Sequence, residues 1–185
     1  MIAFQAVSLV WVVSEVVIAV THSAPLRQAG QDRFSQPAVV VSIVVAVWAG
    51  YFAARGVPGA AIAQGRPFVI ILGVALAAAG IVIRWWAVLS LGRFFTTRVM
   101  TRPGQTVVTA GPYGLVRHPS YTGMLLTIAG VLLSSANWVS LACFLIVLPG
   151  LAYRIRVEEG ALIGALGDPY RDYMRRTKRL VPFVV

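Results

Sequence analysis

The sequence predicts an all-α integral membrane protein with about five transmembrane helices in a single domain, residues 1–185. Hydrophobic residues make up 58% of the chain and charged residues only 12%, and the mean hydropathy is +0.81. Soluble domains are about half apolar and about a quarter charged. The polar residues here are too few to cover a water-soluble globule, which excludes an ordinary soluble enzyme and a disordered tail.

The spans are predicted from the apolar runs in order. The first run contains no Lys or Arg before Arg27, so it lacks the basic start of a signal peptide and is interpreted as a retained span. The third is rich in Gly and Ala at 73–80 (GVALAAAG), which favours close helix packing in lipid. The five predicted spans are 2–20, 37–54, 67–91, 120–134 and 138–154.

The last two spans are predicted to form a helical hairpin. The apolar stretch 124–153 has 30 residues, too many for one ordinary span. Its middle carries the polar turn sequence SSAN at 134–137. A hairpin with this turn returns the chain to one membrane face, so that segments 92–119 and 155–185 lie together.

The charge distribution predicts an outside N-terminus and a cytoplasmic C-terminus, and the small size with many Ala, Val and Arg residues suggests a microbial plasma membrane. Lys and Arg number 2, 4 and 6 in segments 21–36, 92–119 and 155–185, which fits the positive-inside rule. The net charge of +10 is therefore explained by lipid headgroups rather than nucleic acid. The end of the chain from Arg156 is predicted to be an amphipathic interfacial helix, with the basic cluster 175–179 facing lipid phosphates.

The densest group of chemically capable residues is GPYGLVRHPSYTG at 111–123. Irregular backbone at membrane depth is tolerated mainly where it is buried in protein or lines a cavity. The segment therefore predicts a pocket for a polar, partly anionic and partly aromatic ligand. The alternative is a simple junction between loop and span, with Arg and His facing headgroups.

Acidic and basic residues elsewhere give further candidates. Glu158 and Glu159 are adjacent, and neighbouring helical side chains diverge by about 100°, so they are expected to contact different groups: two cations, or arginines in salt bridges. Arg84 lies inside the third span, where a charge indicates a functional site, unless its side chain reaches the interface. Glu15 is predicted to be protonated, to pair with Arg84, or to face a cavity.

Several chemistries have no motif in this sequence. There is no P-loop, no dinucleotide-binding GxGxxG after a strand, no HExxH and no GxSxG. The two histidines, His22 and His118, and the lone Cys143 are too few for a zinc site. We therefore expect neither a Rossmann domain nor a metal.

Three segments together resemble the isoprenylcysteine carboxyl methyltransferase family, which is related to the phospholipid N-methyltransferases. They are LGRFFTTRV at 91–99, GPYGLVRHPSYTG at 111–123 and EEGALIGALGDPYRDYMRRTKRLVPF at 158–183. The resemblance covers residues 84–185. It implies a catalytic core at 67–185, with N-terminal spans at 1–66. It also implies a non-Rossmann pocket for S-adenosylmethionine, formed by 92–123 and 154–183.

The resemblance also assigns residues to roles. The acids would bind the ammonium of the cofactor, His118 and the tyrosines would hold its carboxylate, ribose or adenine, and Arg117 would orient an anionic acceptor. The implied catalytic residues are Arg117 and Glu158. The implied cofactor-binding residues are Gly111, Tyr113, His118, Tyr121, Glu159 and Tyr170.

The implied function is transfer of the S-adenosylmethionine methyl group to a lipophilic acceptor that enters from the bilayer, with S-adenosylhomocysteine as product. The favoured acceptor is the carboxylate of a prenylated or other lipid-like molecule. One alternative is N-methylation of an aminophospholipid, and another is a non-enzymatic membrane carrier or assembly subunit. A nicotinamide-dependent sterol reductase is disfavoured because the paired acids suit a cationic cofactor. The oligomeric state is left open.

Overall fold

The computed structural model describes residues 2–22, 34–96 and 104–181. Within these ranges the chain is helical, and its β-structure is limited to isolated bridges. This confirms the all-α prediction. The helices are α1 (Ile2–Thr21), α2 (Ser35–Gly56), α3 (Arg66–Leu91), α4 (Pro119–Leu133), α5 (Trp138–Ala142), α6 (Val147–Leu166) and α7 (Asp168–Arg176). Parts of the predicted pocket segments, 97–103 and 182–183, lie outside the described residues, as do Arg27 and Arg33.

Four helical stretches are long and apolar enough to cross a membrane: α1, α2, α3 and the run Trp138–Leu166. The fourth predicted span is the shorter apolar helix α4. The hairpin prediction is confirmed, because a turn at 134–137 separates α4 from α5. Asn137 caps α5 by accepting a hydrogen bond of 3.0 Å from the backbone N–H of Ser140.

Helices α3 and α4 pack backbone against backbone, as the Gly-rich third span predicted. A Cβ atom added at Gly80 would lie 2.5 Å from the carbonyl oxygen of Gly123. One added at Gly130 would lie 2.5 Å from the carbonyl oxygen of Gly73. Small residues on both helices therefore set their separation, as is typical of helix pairs in lipid. This contact fixes the depth of α4, whose first turn carries the site.

The last span differs in length from the prediction. Pro149 has no N–H and its ring would collide with the carbonyl of Leu145, and the chain is 3₁₀-helical at Cys143–Ile146. Beyond this turn α6 continues to Leu166, twelve residues past the predicted end at 154. Glu158 and Glu159 therefore lie on the last turns of α6.

The prediction that an amphipathic helix begins at Arg156 is wrong, because the C-terminal helix α7 begins at Asp168. Gly167, with a φ of 61°, breaks the chain between α6 and α7. Leu162 and Leu166 belong to α6, whereas Tyr170 and Tyr173 lie on α7. These four residues follow one another at intervals of four, four and three, a spacing that suggests one continuous helix, but the positive φ of Gly167 interrupts it.

Candidate functional site

A cavity of about 570 Å³ is lined by residues of α1, α2, α3, α4, α6 and α7. We call its polar lining, which comes mainly from the 113–121 segment, α6 and α7, the polar end. We call its apolar lining, which comes mainly from α1 and α2, the apolar end. The polar lining includes Arg84, Tyr113, Arg117, His118, Ser120, Tyr121, Arg154, Glu158, Tyr170 and Tyr173. The apolar lining includes Trp11, Val12, Val16, Val39, Val40, Ile43, Val44, Val47 and Trp48.

The 111–123 segment reaches the cavity through a short 3₁₀ turn at Gly111–Gly114, followed by α4, which begins at Pro119. Proline is favoured in the first turn of a helix, where its missing N–H is not needed. Gly111 has a φ of 58°, and a Cβ atom there would lie 2.9 Å from Ser90 Oγ. This backbone conformation and close approach account for a glycine at 111, which does not line the cavity.

The C-terminal segment is paired to the same motif by backbone hydrogen bonds. The N–H of Arg117 donates to the carbonyl of Lys178 at 2.7 Å, and that of His118 donates to the carbonyl of Arg179 at 2.9 Å. The Tyr173 hydroxyl donates to the carbonyl of Tyr113 at 2.7 Å. The two segments that the resemblance places around one pocket are therefore in direct contact.

Glu159 is the anion at the centre of this contact. Its carboxylate accepts a hydrogen bond from Arg117 Nε at 3.0 Å and from Arg179 Nη2 at 2.9 Å. His118 Nε2 lies 3.3 Å away. The Glu159 side chain is only 5% exposed, and it does not line the cavity. Glu159 thus ties the motif to the C-terminal segment.

Arg117 is oriented by the same contacts. Beyond Glu159, its Nη1 donates to the carbonyl of Met174 at 3.0 Å and also to the carbonyl of Thr177. These three contacts of Arg117 are all with other groups of the protein. Part of its side chain nevertheless lines the cavity. Its predicted role in orienting an anionic acceptor stays a prediction.

Glu158 faces the cavity instead. It accepts a hydrogen bond of 2.6 Å from the Tyr121 hydroxyl. That hydroxyl in turn accepts from Arg154 Nε at 3.1 Å, and Arg154 Nη1 donates to Ser35 Oγ at 2.8 Å. The chain of bonds links α2, α4 and α6, and it presents one carboxylate to the polar end of the cavity.

The tyrosines outside the spans keep their hydroxyl protons. Burial, with Glu158 nearby, raises the pKa of Tyr113 well above its usual range. Burial, with Glu159 and Glu158 nearby, does the same to the pKa of Tyr170. Burial raises the pKa of Tyr173 to about 12. All three are neutral donors at physiological pH, with aromatic faces beside the cavity.

The intramembrane charges predicted in α1 and α3 meet at the cavity wall. Arg84 Nη2 donates to Glu15 Oε2 at 2.6 Å, and Arg84 Nη1 donates to Ser120 Oγ at 2.8 Å. Two of the alternatives for Glu15 hold together, since it pairs with Arg84 and also lines the cavity. Arg84 is 10% exposed in its side chain and is held in place rather than reaching for the interface.

Six of the eight predicted site residues line the cavity, and Gly111 and Glu159 support it from outside. Arg154, Ser120, Tyr173 and Trp11 also line the cavity but were not among the predicted site residues. The position of Arg154 at the end of an apolar run could have indicated a site residue, whereas no sequence pattern distinguishes Ser120 or Trp11. The Trp11 indole Nε1 is buried and has no hydrogen-bond partner among the described residues.

The fold and cavity together define a polytopic membrane protein with a binding chamber open to both polar and apolar groups. A profile of the isoprenylcysteine carboxyl methyltransferase family matches residues 71–164, just over half of the chain. The chain therefore belongs to the isoprenylcysteine carboxyl methyltransferase family.

Individual relatives agree with this assignment. A probable protein-S-isoprenylcysteine O-methyltransferase from Oryza sativa subsp. indica is 33% identical over 120 residues, 63% of each chain. An uncharacterized protein of Bacillus subtilis, YpbQ, is 37% identical over 84 residues, 44% of this chain and 49% of that protein. The present chain thus spans less than two thirds of the length of these relatives.

A solved structure shares the fold. The eukaryotic intramembrane Ras methyltransferase, isoprenylcysteine carboxyl methyltransferase, aligns with a TM-score of 0.64 at 22% identity. The alignment covers 84% of this chain and 55% of the other. It extends beyond the family profile into the N-terminal helices, for which the sequence had no signature.

Proposed function

We propose that this protein is a methyltransferase that moves the methyl group of S-adenosylmethionine to the carboxylate of a prenylated or similar lipophilic acceptor. The observation that carries the proposal is the cavity of about 570 Å³, whose polar end includes residues of the family motif and whose apolar end is lined by α1 and α2. This volume is within the ordinary range for ligand sites. The predicted topology places the polar end at the cytoplasmic face.

The polar lining fits the groups of S-adenosylmethionine. Glu158 offers a carboxyl group toward a cationic ligand, and the aromatic rings of Tyr113 and Tyr170 suit a sulfonium or an adenine ring. His118, stacked on Tyr121 with ring centroids 5.5 Å apart, offers a further polar edge. The cofactor supplies an electrophilic methyl group. The residues of this chain bind it, exclude water and align it with the acceptor.

Arg84, in the polar lining, contacts α1 through Glu15 and α4 through Ser120. A carboxylate is already ionised at pH 7, so its methylation requires alignment and desolvation rather than a general base. We propose that Arg84 attracts the acceptor carboxylate. The apolar side chains of α1 and α2 would hold the lipid chain.

Calorimetric titration of S-adenosylhomocysteine into the protein, purified in detergent or in nanodiscs, tests cofactor binding. Loss of a hydrogen bond to a charged group costs about 1.5–3 kcal/mol, so Glu158→Gln should weaken binding roughly 10- to 100-fold. Asp168→Asn is a matched control, because it removes the same charge from an exposed residue that pairs with the exposed Arg171. No binding by the folded wild-type protein would contradict the proposal and favour the carrier alternative.

Replacement of Arg84 by glutamine tests the acceptor side. With an N-acetyl S-prenylcysteine and labelled methyl donor, we expect the variant to lower kcat/KM about 100-fold, because a charge-assisted contact is lost. The affinity for S-adenosylhomocysteine should stay within about threefold. Arg55→Gln, at the other end of the bundle, is the control. Unchanged turnover of the acid by Arg84→Gln would remove Arg84 from this role, and preferential turnover of an aminophospholipid would favour the N-methylation alternative.

A further inference from the structure

Arg117 also lines a second pocket. It has a volume of about 300 Å³ and is lined by Arg117 and the turn 174–179. We call it the basic pocket. Five of its seven lining residues are Arg or Lys. The side chains of residues 174–179 have no role in the proposed methyl transfer, except that Arg179 binds Glu159.

The acids near the basic pocket are fewer than its cations. Glu159 is shared by Arg117 and Arg179, and Asp172 pairs with Arg175. Arg176 and Lys178 are exposed and make no side-chain hydrogen bond or ion pair among the described residues. The lining of the pocket therefore carries an excess of positive charge.

The position of the basic pocket along the bundle identifies the source of an anion. Thr122, in the first turn of α4, donates a hydrogen bond of 2.7 Å to the carbonyl of Leu180. The Leu180 side chain packs against the hydrophobic core, and Val181 beside it is exposed. The basic turn thus meets the chain where the apolar helix α4 begins. In a membrane protein this is the level of the lipid headgroups.

We propose that the basic pocket binds the phosphate of an anionic phospholipid headgroup. Charge complementarity supports the phosphate, and the depth of the turn supports a lipid rather than a soluble source. Arginine and lysine near a membrane surface each contribute to such binding, and arginine can bind phosphate through two N–H groups. The inference stands apart from the proposed methyl transfer, since Arg176 and Lys178, the two cations on which it rests, do not line the main cavity.

Retention of lipid by the purified full-length protein tests the inference. Native mass spectrometry would compare phosphatidylglycerol with phosphatidylcholine on the wild type and on Arg176→Gln/Lys178→Gln. We expect the double variant to bind phosphatidylglycerol roughly 30-fold more weakly, with phosphatidylcholine unchanged. Arg55→Gln/Arg66→Gln is the matched control, because it removes two exposed charges at the opposite end and should bind both lipids as the wild type does.

Three outcomes would overturn the inference. Equal loss of phosphatidylglycerol in both double variants would show attraction to net charge only. Displacement of the lipid by millimolar inorganic phosphate would indicate a soluble ligand. If Arg176→Gln/Lys178→Gln lost as much affinity for S-adenosylhomocysteine in lipid-free detergent as Glu158→Gln does, the pocket would be part of the cofactor site. If the double variant keeps its affinity for S-adenosylhomocysteine but loses phosphatidylglycerol, the inference is supported, whether or not an acceptor is found.

Discussion

Replacing Glu159 by glutamine should free the C-terminal segment from the 111–123 motif and lower the stability of the protein. The substitution keeps the shape of the side chain but leaves Arg117 and Arg179 without their shared anion. Breaking a buried ion pair from one side costs about 3 kcal/mol or more. For a chain of this length that corresponds to an apparent melting temperature about 6–12 °C lower. Trypsin should also cleave the turn 175–179 faster.

The neighbouring acid gives the contrast that makes this prediction specific. Glu158→Gln can still accept a hydrogen bond from Tyr121, so it should melt within about 3 °C of the wild type while losing affinity for S-adenosylhomocysteine. Asp172→Asn controls for the charge change near the same turn, and its partner Arg175 is exposed. If Glu159→Gln melted as the wild type does and lost only cofactor affinity, Glu159 would be a direct cofactor ligand, as the sequence had suggested.

A methyl group added at Gly80 should disrupt the contact between α3 and α4. The Cβ atom of Gly80→Ala would lie 2.5 Å from the Gly123 carbonyl oxygen and from the Thr127 backbone nitrogen. Both are backbone atoms that cannot rotate away, so the helices must separate. Overpacking of this kind costs about 3 kcal/mol, which predicts a fall of about 10 °C in the apparent melting temperature. Fluorescence-detected size exclusion after heating measures it.

A second glycine in a helix provides the control. A Cβ atom at Gly164, in α6, meets nothing within 4 Å. Gly164→Ala should therefore leave the melting temperature unchanged or raise it slightly, since alanine favours helix. Equal behaviour of the two variants would mean that the close approach of α3 and α4 does not hold in the membrane.

Much of the helical organisation could be predicted because it depends on local properties. A run of 30 apolar residues with a polar centre permits only a hairpin in a bilayer about 30 Å thick. The orientation is predicted from another local property, the excess of Lys and Arg on one set of loops. The start of α7 was missed because leucine and tyrosine spacing continues across Gly167, and only the backbone shows that the helix axis changes there.

The site was predicted in composition but not in arrangement. The motif and the paired acids were identified as one pocket, and six of the eight chosen residues line it. The choice between Glu158 and Glu159 could not be made, because about 100° of helix rotation separates them. That rotation is set by how α6 packs on its neighbours, which no local pattern encodes.

The sequence by itself determined that this protein crosses a membrane and that its last spans form a hairpin, and it selected 111–123 and 158–183 as the segments of the candidate site. Only the tertiary structure decided that Glu15 meets Arg84 across 69 residues, and that Glu158 faces the cavity while Glu159 holds the C-terminal segment. Such pairings depend on the relative depth and rotation of the helices. Backbone contacts such as that of Gly80 with Gly123 set these relations, and they form only when the whole bundle packs.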